Sequence, residues 1–528
     1  MKFIARFLYV PLAGLLVLTS CAKDETESYD KFENQALEAW MTQHRSDLVE
    51  NLQSEGLYYV DLLDAGDLAS DPINTEDIWV SFDFSGRDLS GNIILTRNAD
   101  DAVLAGSFSK YTHYVPFYRY CGSGKSGLKE GTWLAMRRTL TLGDTYFRNN
   151  KDRLGITSPE VTLRYGSKIR LYMPSSVVGN GVEGTGGYEG QEGYSLSSKR
   201  PFIVTMEIRD TVSNPLEREG TDVDDFCELN GGLQIYSKGD DDTPATEVPE
   251  DPEDPEHPYS ETSKRWVSAC DSIPQVYVNV RYNPAEPGDQ LSFPAPYHVG
   301  YEPYVSEASV RDIDMQIAEA LKKRFHGEGD DYEKYEGVKT LEADSVTLEG
   351  TAKIWYIGRF LDGFIFDTNI DEVKQIIYGE VRKTGSAHSY DVQNPDLITA
   401  FYYIVPHLKY GQWATLVTTS TNAYGTTGKS GGSSTSTSSN GYTSSYYDYL
   451  NYLNYSQMYY GNNGYYGGYY NDYYGYGGLG NYGYYGGYYG GYGGNYDSGE
   501  TTTTTKVYTD IPSFSPLIFQ IYIEPDGK

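Results

Sequence analysis

Ile354-Trp355-Tyr356-Ile357-Gly358-Arg359-Phe360-Leu361-Asp362-Gly363-Phe364-Ile365-Phe366-Asp367-Thr368 is the stretch from which the fold can be read. Ile354 to Gly358 has the β-branched and aromatic content of a strand. Leu361-Asp362-Gly363 is a turn, because Asp and Gly relieve a tight backbone reversal. Phe364 to Thr368 then returns as a second strand. Further on, Leu397-Ile398-x-x-Phe401 opens a short helix whose apolar face continues to Leu408. Pro406 limits that helix to about two turns. Trp413 to Thr418 is again strand-like. Asn422-Ala423-Tyr424-Gly425 is a turn, and Leu517-Ile518-Phe519 belongs to a last strand.

Much of this pattern occurs twice. Ser85-Gly86-Arg87-Asp88-Leu89-Ser90-Gly91 matches Ile357 to Gly363, and Leu163-Arg164-Tyr165-Gly166 matches Leu408-Lys409-Tyr410-Gly411. Each of the latter leads into a β-rich run, IRLYMP or ATLVTT, and then into a glycine turn at Val178-Gly179 or Tyr424-Gly425. The copies close with PFIVTMEI (201–208) and SPLIFQIYI (515–523). Two related units of α+β class are expected, at 53–285 and 335–528. Between them, 286–334 connects, with an amphipathic helix over 310–325 that puts Ile313, Ile317 and Leu321 on one face.

The flanking and inserted segments read differently. Lys2 and Arg6 precede an apolar run from Phe7 to Leu18 that is too short to span a bilayer. Leu18-Thr19-Ser20-Cys21 follows, so residues 1–20 read as a secretory signal resembling a bacterial lipobox, with Cys21 lipidated. Ala22-Lys23-Asp24-Glu25 is similar to the acidic export tag of Bacteroidota-type surface lipoproteins. That resemblance implies an outer-membrane lipid anchor and cell-surface exposure. Residues 21–52 then supply a polar tether and an N-terminal helix with Phe32, Leu37, Trp40, Met41 and Leu48 as its stripe. Residues 239–258 (GDDDTPATEVPEDPEDPEHP) are acidic and proline-rich and read as a solvated linker or long loop. Residues 441–496 hold 22 Tyr and 16 Gly with Asp448 and Asp472 as their only charges. This low-complexity segment sits within a Ser/Thr/Tyr/Gly insertion at 426–506. Glycine at that density is expected to be disordered, while tyrosine makes it adhesive.

Charge and spacing exclude several chemistries. The chain of 528 residues carries a formal charge of −32, and loss of Lys2 and Arg6 with the signal takes it to −34. Such a chain repels phosphate, so no nucleic-acid partner is expected. Gly122-Ser123-Gly124-Lys125-Ser126 ends like a phosphate loop, but Arg119 stands where its first glycine belongs. Gly179-Asn180-Gly181-Val182-Glu183-Gly184 is followed by Gly186 and Gly187 rather than a helix, and Glu183 would repel a pyrophosphate. The seven histidines are scattered and no serine triad can be argued, so neither cofactor nor metal is expected. Of Cys121, Cys227 and Cys270, at most one pair can bridge within the chain.

The second unit resembles the FKBP-type peptidyl-prolyl cis-trans isomerases. Tyr356-x-Gly358, four residues, and Gly363-x-x-Phe366-Asp367 match that family's opening motif. Leu397-Ile398-x-x-Phe401, Gly411-x-x-Ala414-x-Leu416, Ala423-Tyr424-Gly425, Ile511-Pro512 and Leu517-x-Phe519 follow in the family's order. The resemblance implies an antiparallel sheet wrapped around a short helix. It implies a pocket of Tyr356, Phe366, Asp367, Leu397, Ile398, Phe401, Tyr424, Ile511 and Phe519, with Phe401 where the family has tryptophan. It further implies that the Ile398 N–H and the Tyr424 hydroxyl hold a substrate carbonyl, with Asp367 at the rim beside Tyr356. The partners implied are proline-containing polypeptide segments. The first unit resembles the same family in worn form, with Ile94-Leu95 for Phe-Asp and Val177-Val178-Gly179 for Ala-Tyr-Gly, and reads as a scaffold or binding module. Alternatives are a noncatalytic FKBP-like scaffold in an outer-membrane protein assembly, and a glycan binder that stacks sugars on clustered tyrosines.

Overall fold

The computed structural model describes residues 29–123, 130–178, 201–234, 266–268, 275–280, 282–285, 293–298, 307–326, 346, 351–431, 433–438, 501–506 and 508–525. The signal and Cys21, the acidic stretch 239–258, Cys270 and the tyrosine-rich stretch 441–496 lie outside them.

The first unit opens with α1 (Tyr29–His44), β1 (Leu52–Gln53) and β2 (Tyr58–Ala65). It continues with β3 (Ile78–Asp88), β4 (Ile93–Thr96), α2 (Ala99–Leu104), β5 (Phe117–Cys121) and α3 (Glu130–Arg137). A small pair, β6 (Leu140–Thr141) and β7 (Glu160–Val161), flanks α4 (Asp144–Leu154). Then come β8 (Ser167–Met173), α5 (Ser175–Val178) and β9 (Phe202–Val212). The sheet runs β1-β2-β8-β9-β3-β4, with β5 on β3, and its pairings are antiparallel. Helix α3 was not expected from the sequence; Trp133, Leu134, Ala135 and Met136 bury it against the sheet's core.

The second sheet draws on α6 (Pro215–Leu229), β10 (Leu233–Gln234), β11 (Trp266–Ser268), β12 (Val276–Asn279) and α7 (Glu307–Leu321). Its later elements are β13 (Thr351–Phe360), β14 (Ile365–Thr368), α8 (Asp371–Tyr378), β15 (His388–Asp391), α9 (Thr399–Ile404) and β16 (Trp413–Thr418). The last strand β19 (Leu517–Ile523) completes it, and β17 (Ser433–Ser438) and β18 (Thr501–Lys506) pair as a separate two-stranded ribbon. The sheet order is β10-β11-β12-β16-β19-β13-β14, with β15 on β13. The central order thus repeats: β2-β8-β9-β3-β4 in one sheet and β12-β16-β19-β13-β14 in the other. A bulge recurs too, between Gly86 and Arg87 and between Gly358 and Arg359.

Two expectations on boundaries change. The division at 285 cuts through the second sheet, because Val276–Asn279 hydrogen-bonds to Thr415–Thr418. The connecting helix runs from Glu307 to Leu321 and continues as a π-helical turn through His326. Cys121 and Cys227 are buried free thiols, so neither contributes to a bridge.

β19 is buried along its whole length because its sheet is covered on both faces. Leu517, Phe519, Ile521 and Ile523 face α9, with Phe401 and Ile404. Ile518 meets α6 through Val223 and Phe226, and Tyr522 meets α7 through Ile317 and Leu321. Arg359, at the bulge, makes a buried ion pair of 2.7 Å with Asp314 of α7. Among the described residues no helix is long and apolar enough to cross a membrane.

Candidate functional site

The site is built where β13, β14 and β19 face α9. Strand register sends Tyr356 and Phe519 to the same side of the sheet, and the bulge between Gly358 and Arg359 turns Phe366 of β14 to that side as well. Phe366 stands edge-on to Phe519 at 5.7 Å, and Phe401 edge-on to Phe519 at 5.3 Å. Tyr424 closes a third edge-on pair with Phe366 at 6.3 Å. These separations fall in the favourable range for ring edges on ring faces. Phe366, Phe401, Phe519 and Ile511 are buried in one cluster, and Tyr356, Leu397, Ile398 and Tyr424 pack half-buried against it. Four buried apolar side chains therefore form a floor, and four partly exposed ones form its margin.

Asp367 joins this group from β14. The Tyr356 hydroxyl donates to its Oδ2 at 2.8 Å. Burial, and then the Asp367 charge and bond, hold the Tyr356 phenol above its ordinary pKa. Burial, followed by the same charge, pushes the Tyr424 phenol up to about 12. Both phenols keep their protons at neutral pH and remain donors. Among the described residues neither the Tyr424 hydroxyl nor the Ile398 N–H has a hydrogen-bond partner. The helix α9 ends after Ile404, and a 3-10 turn over Val405–His407 takes Pro406, as its ring requires.

Ile511 and Tyr424 are far apart in sequence and meet through a bridge. Lys429 N–H donates to Ile511 O at 2.9 Å, and Ile511 N–H donates back to Lys429 O at 2.8 Å. Beyond this bridge lies the β17–β18 ribbon, paired from Ser433–Lys506 to Ser438–Thr501. At about 3.3 Å per residue the ribbon carries the chain about 20 Å before residue 439. The Ser/Thr runs 433–438 and 501–506, which read only as low complexity in the sequence, form paired strands. Lys429 Nζ lies 4.9 Å over the Tyr424 ring at the base of this ribbon.

The first unit contacts the second through His113, Tyr111 and Trp79. His113 is buried, stacks on Phe360 and Phe364 at 4.4 and 4.5 Å, and places Nε2 2.6 Å from Asp362 Oδ2. Tyr111 stacks on Tyr378 at 4.2 Å. On the other side, Phe514 adopts φ of 54° and sets its ring edge-on to Trp79 at 4.7 Å. A left-handed Phe costs about 1 kcal/mol or more, and the aromatic contact offsets that cost. No local sequence signal announces these long-range contacts.

The matching positions of the first unit carry aliphatic side chains. Ile94 occupies the β14-Phe366 register position, and Val204 stands opposite Gly86 as Phe519 stands opposite Gly358. No group of His, Cys, Asp and Glu among the described residues is arranged to hold a metal.

No protein-family model matches the chain, and no curated protein matches its sequence. Its neighbours among solved structures are FKBP-type isomerases. The three FKBP domains of wheat FKBP73 align over 89% of this chain and 95% of their own, at 10% identity and a TM-score of 0.18. A peptidyl-prolyl cis-trans isomerase of Pseudomonas syringae pv. tomato aligns over 36% of this chain and 99% of its own, at 15% identity and 0.21. FkpA from Escherichia coli aligns over 40% and 72%, at 10% identity and 0.21.

Proposed function

We propose that this chain is a surface-anchored peptidyl-prolyl cis-trans isomerase, or folding helper, that acts on X-Pro segments of exported or outer-membrane proteins through its second unit. The observation that supports the reading is the convergence of Phe366, Phe401, Phe519 and Ile511 beneath Tyr356, Leu397, Ile398 and Tyr424. Rotation about an X–Pro bond faces about 18–20 kcal/mol because amide resonance must be broken. No covalent step is needed. An aromatic floor takes the proline ring and strips water from the amide. The twisted amide has less charge separation than the planar one, so desolvation favours it. The Ile398 N–H and the Tyr424 hydroxyl, without a hydrogen-bond partner among the described residues, would hold the neighbouring carbonyl. The anchor at Cys21 would tether the chain, each buried CH₂ contributing about 0.8 kcal/mol.

A protease-coupled proline-peptide assay tests this. Catalysis that falls in Phe519→Leu and Asp367→Ala, both remaining folded, supports the enzyme. Catalysis absent from the unaltered chain, with or without residues 439–500, assigns the alternative of a noncatalytic scaffold.

A further inference from the structure

The loop that presents Tyr424 is held from outside its own unit's sheet. Ser420 is buried, and its backbone oxygen accepts from Ala423 N–H at 2.9 Å and from Gly425 N–H at 2.7 Å. These bonds fold 420–425 into one tight turn with Tyr424 near its end. The two donors of Ser420 point the other way, into Glu219 of α6. Ser420 N–H donates to Glu219 Oε1, and Ser420 Oγ lies 2.8 Å from Oε2. Glu219 is itself only 2% exposed, so this carboxyl is spent on the turn rather than on solvent.

The adjacent residue ties the same helix to the first unit. Arg218 pairs with Asp210 of β9 at 3.2 Å and with Asp222 one turn on at 2.9 Å. Asp210 also accepts from the Tyr118 hydroxyl of β5 at 2.5 Å. Asn214 caps the helix by accepting from Glu217 N–H, and Pro215 fits its first turn. A rigid helix thus has a first-unit ion pair on one residue and the Tyr424 turn on the next.

We propose that Glu219 is a positioning residue for Tyr424, and that α6 is the strut by which the first unit holds that rim of the second unit's pocket. The role in catalysis rests on the isomerase reading; the placement of the turn does not. A worn first unit would then persist because the pocket next to it depends on it.

Hydrogen exchange and catalysis on the full chain test this together. In Glu219→Ala the amides of Ser420, Ala423 and Gly425 should exchange about tenfold faster, the effect of leaving a buried donor unmet. kcat/KM on a proline peptide should fall about tenfold. Glu219→Gln keeps an Oε1 acceptor and should restore most of both. Val223→Ala, one turn along α6 and facing the Trp266 cluster, controls for simple destabilisation and should change neither. Adding Glu219→Ala to Tyr424→Phe should cost little beyond the larger single effect. Arg218→Ala should speed the same amides by a smaller factor. Unchanged exchange in Glu219→Ala, or equal effects from Val223→Ala, would overturn the positioning role. Unchanged exchange in Arg218→Ala would remove the first unit from it. Faster exchange in a chain that has no isomerase activity would sink the isomerase reading and leave the strut standing.

Discussion

The Phe366 ring lies against the backbone of Gly358 so closely that a Cβ there would fall 2.6 Å from it. In the first unit the neighbour of the matching glycine is different: a Cβ on Gly86 would fall 2.2 Å from the ring of Phe202, which comes from β9. Gly358→Ala must therefore displace a ring of the Phe366–Phe401–Phe519 cluster, and Gly86→Ala a ring of the other core. Each should destabilise by about 1–3 kcal/mol, the usual cost of overpacking. Only Gly358→Ala should also lower isomerase kcat/KM. Denaturant unfolding alongside the peptide assay separates the two.

Tyr356→Phe removes the donor to Asp367 and leaves a half-buried carboxylate one partner short. A stability loss of about 1–2 kcal/mol is expected. Thermal unfolding measures that loss, and kcat/KM should fall with it because Asp367 is no longer held at the rim.

The carboxyl of Glu219 is raised to about 7, chiefly by burial, against 4.5 for an ordinary glutamate. The folded chain keeps a proton there that the unfolded chain releases. Stability from this group is therefore complete below about pH 4.5 and lost as pH rises through 7, by roughly 3 kcal/mol. Urea unfolding of Glu219→Gln from pH 4.5 to 8 should show a decline smaller than the unaltered chain's by that amount. Parallel curves would contradict it.

His113→Ala removes the buried ring between Phe360 and Phe364 and the contact with Asp362. The two units should separate more readily. Small-angle scattering should give a larger radius of gyration, and limited proteolysis should cut faster between 105 and 116.

Cys121 and Cys227 are buried, and burial raises both thiols, Cys121 to about 12. Thiolate is then scarce at neutral pH. Peptide mapping after iodoacetamide should find both unmodified in the folded chain and both modified in denaturant.

What the sequence makes legible is local or motif-bound. Gly358, Gly363 and the β-branched residues around them mark a hairpin, and Gly363 does take φ of +88°. Phe401 and Phe519 can be placed together because strand alternation and the short helix leave them no other side of the sheet, whereas Phe366 joins them only through the bulge at Gly358. Long-range pairing is not written locally. Val276–Asn279 is too short to declare that its partner is Thr415–Thr418. The burial of Glu219 beneath Ser420 and of His113 beside Asp362 depends on elements about 200 residues or more apart. A charge on an amphipathic helix reads as a solvated face until the turn it satisfies is seen.

The most direct measurement is exchange NMR on an X-Pro peptide with the full chain present. Exchange cross-peaks between cis and trans proline signals should appear at substoichiometric protein, and Phe519→Leu should weaken them. Signals that shift on binding but never exchange, or exchange equal in the variant, would contradict a catalytic pocket in the second unit.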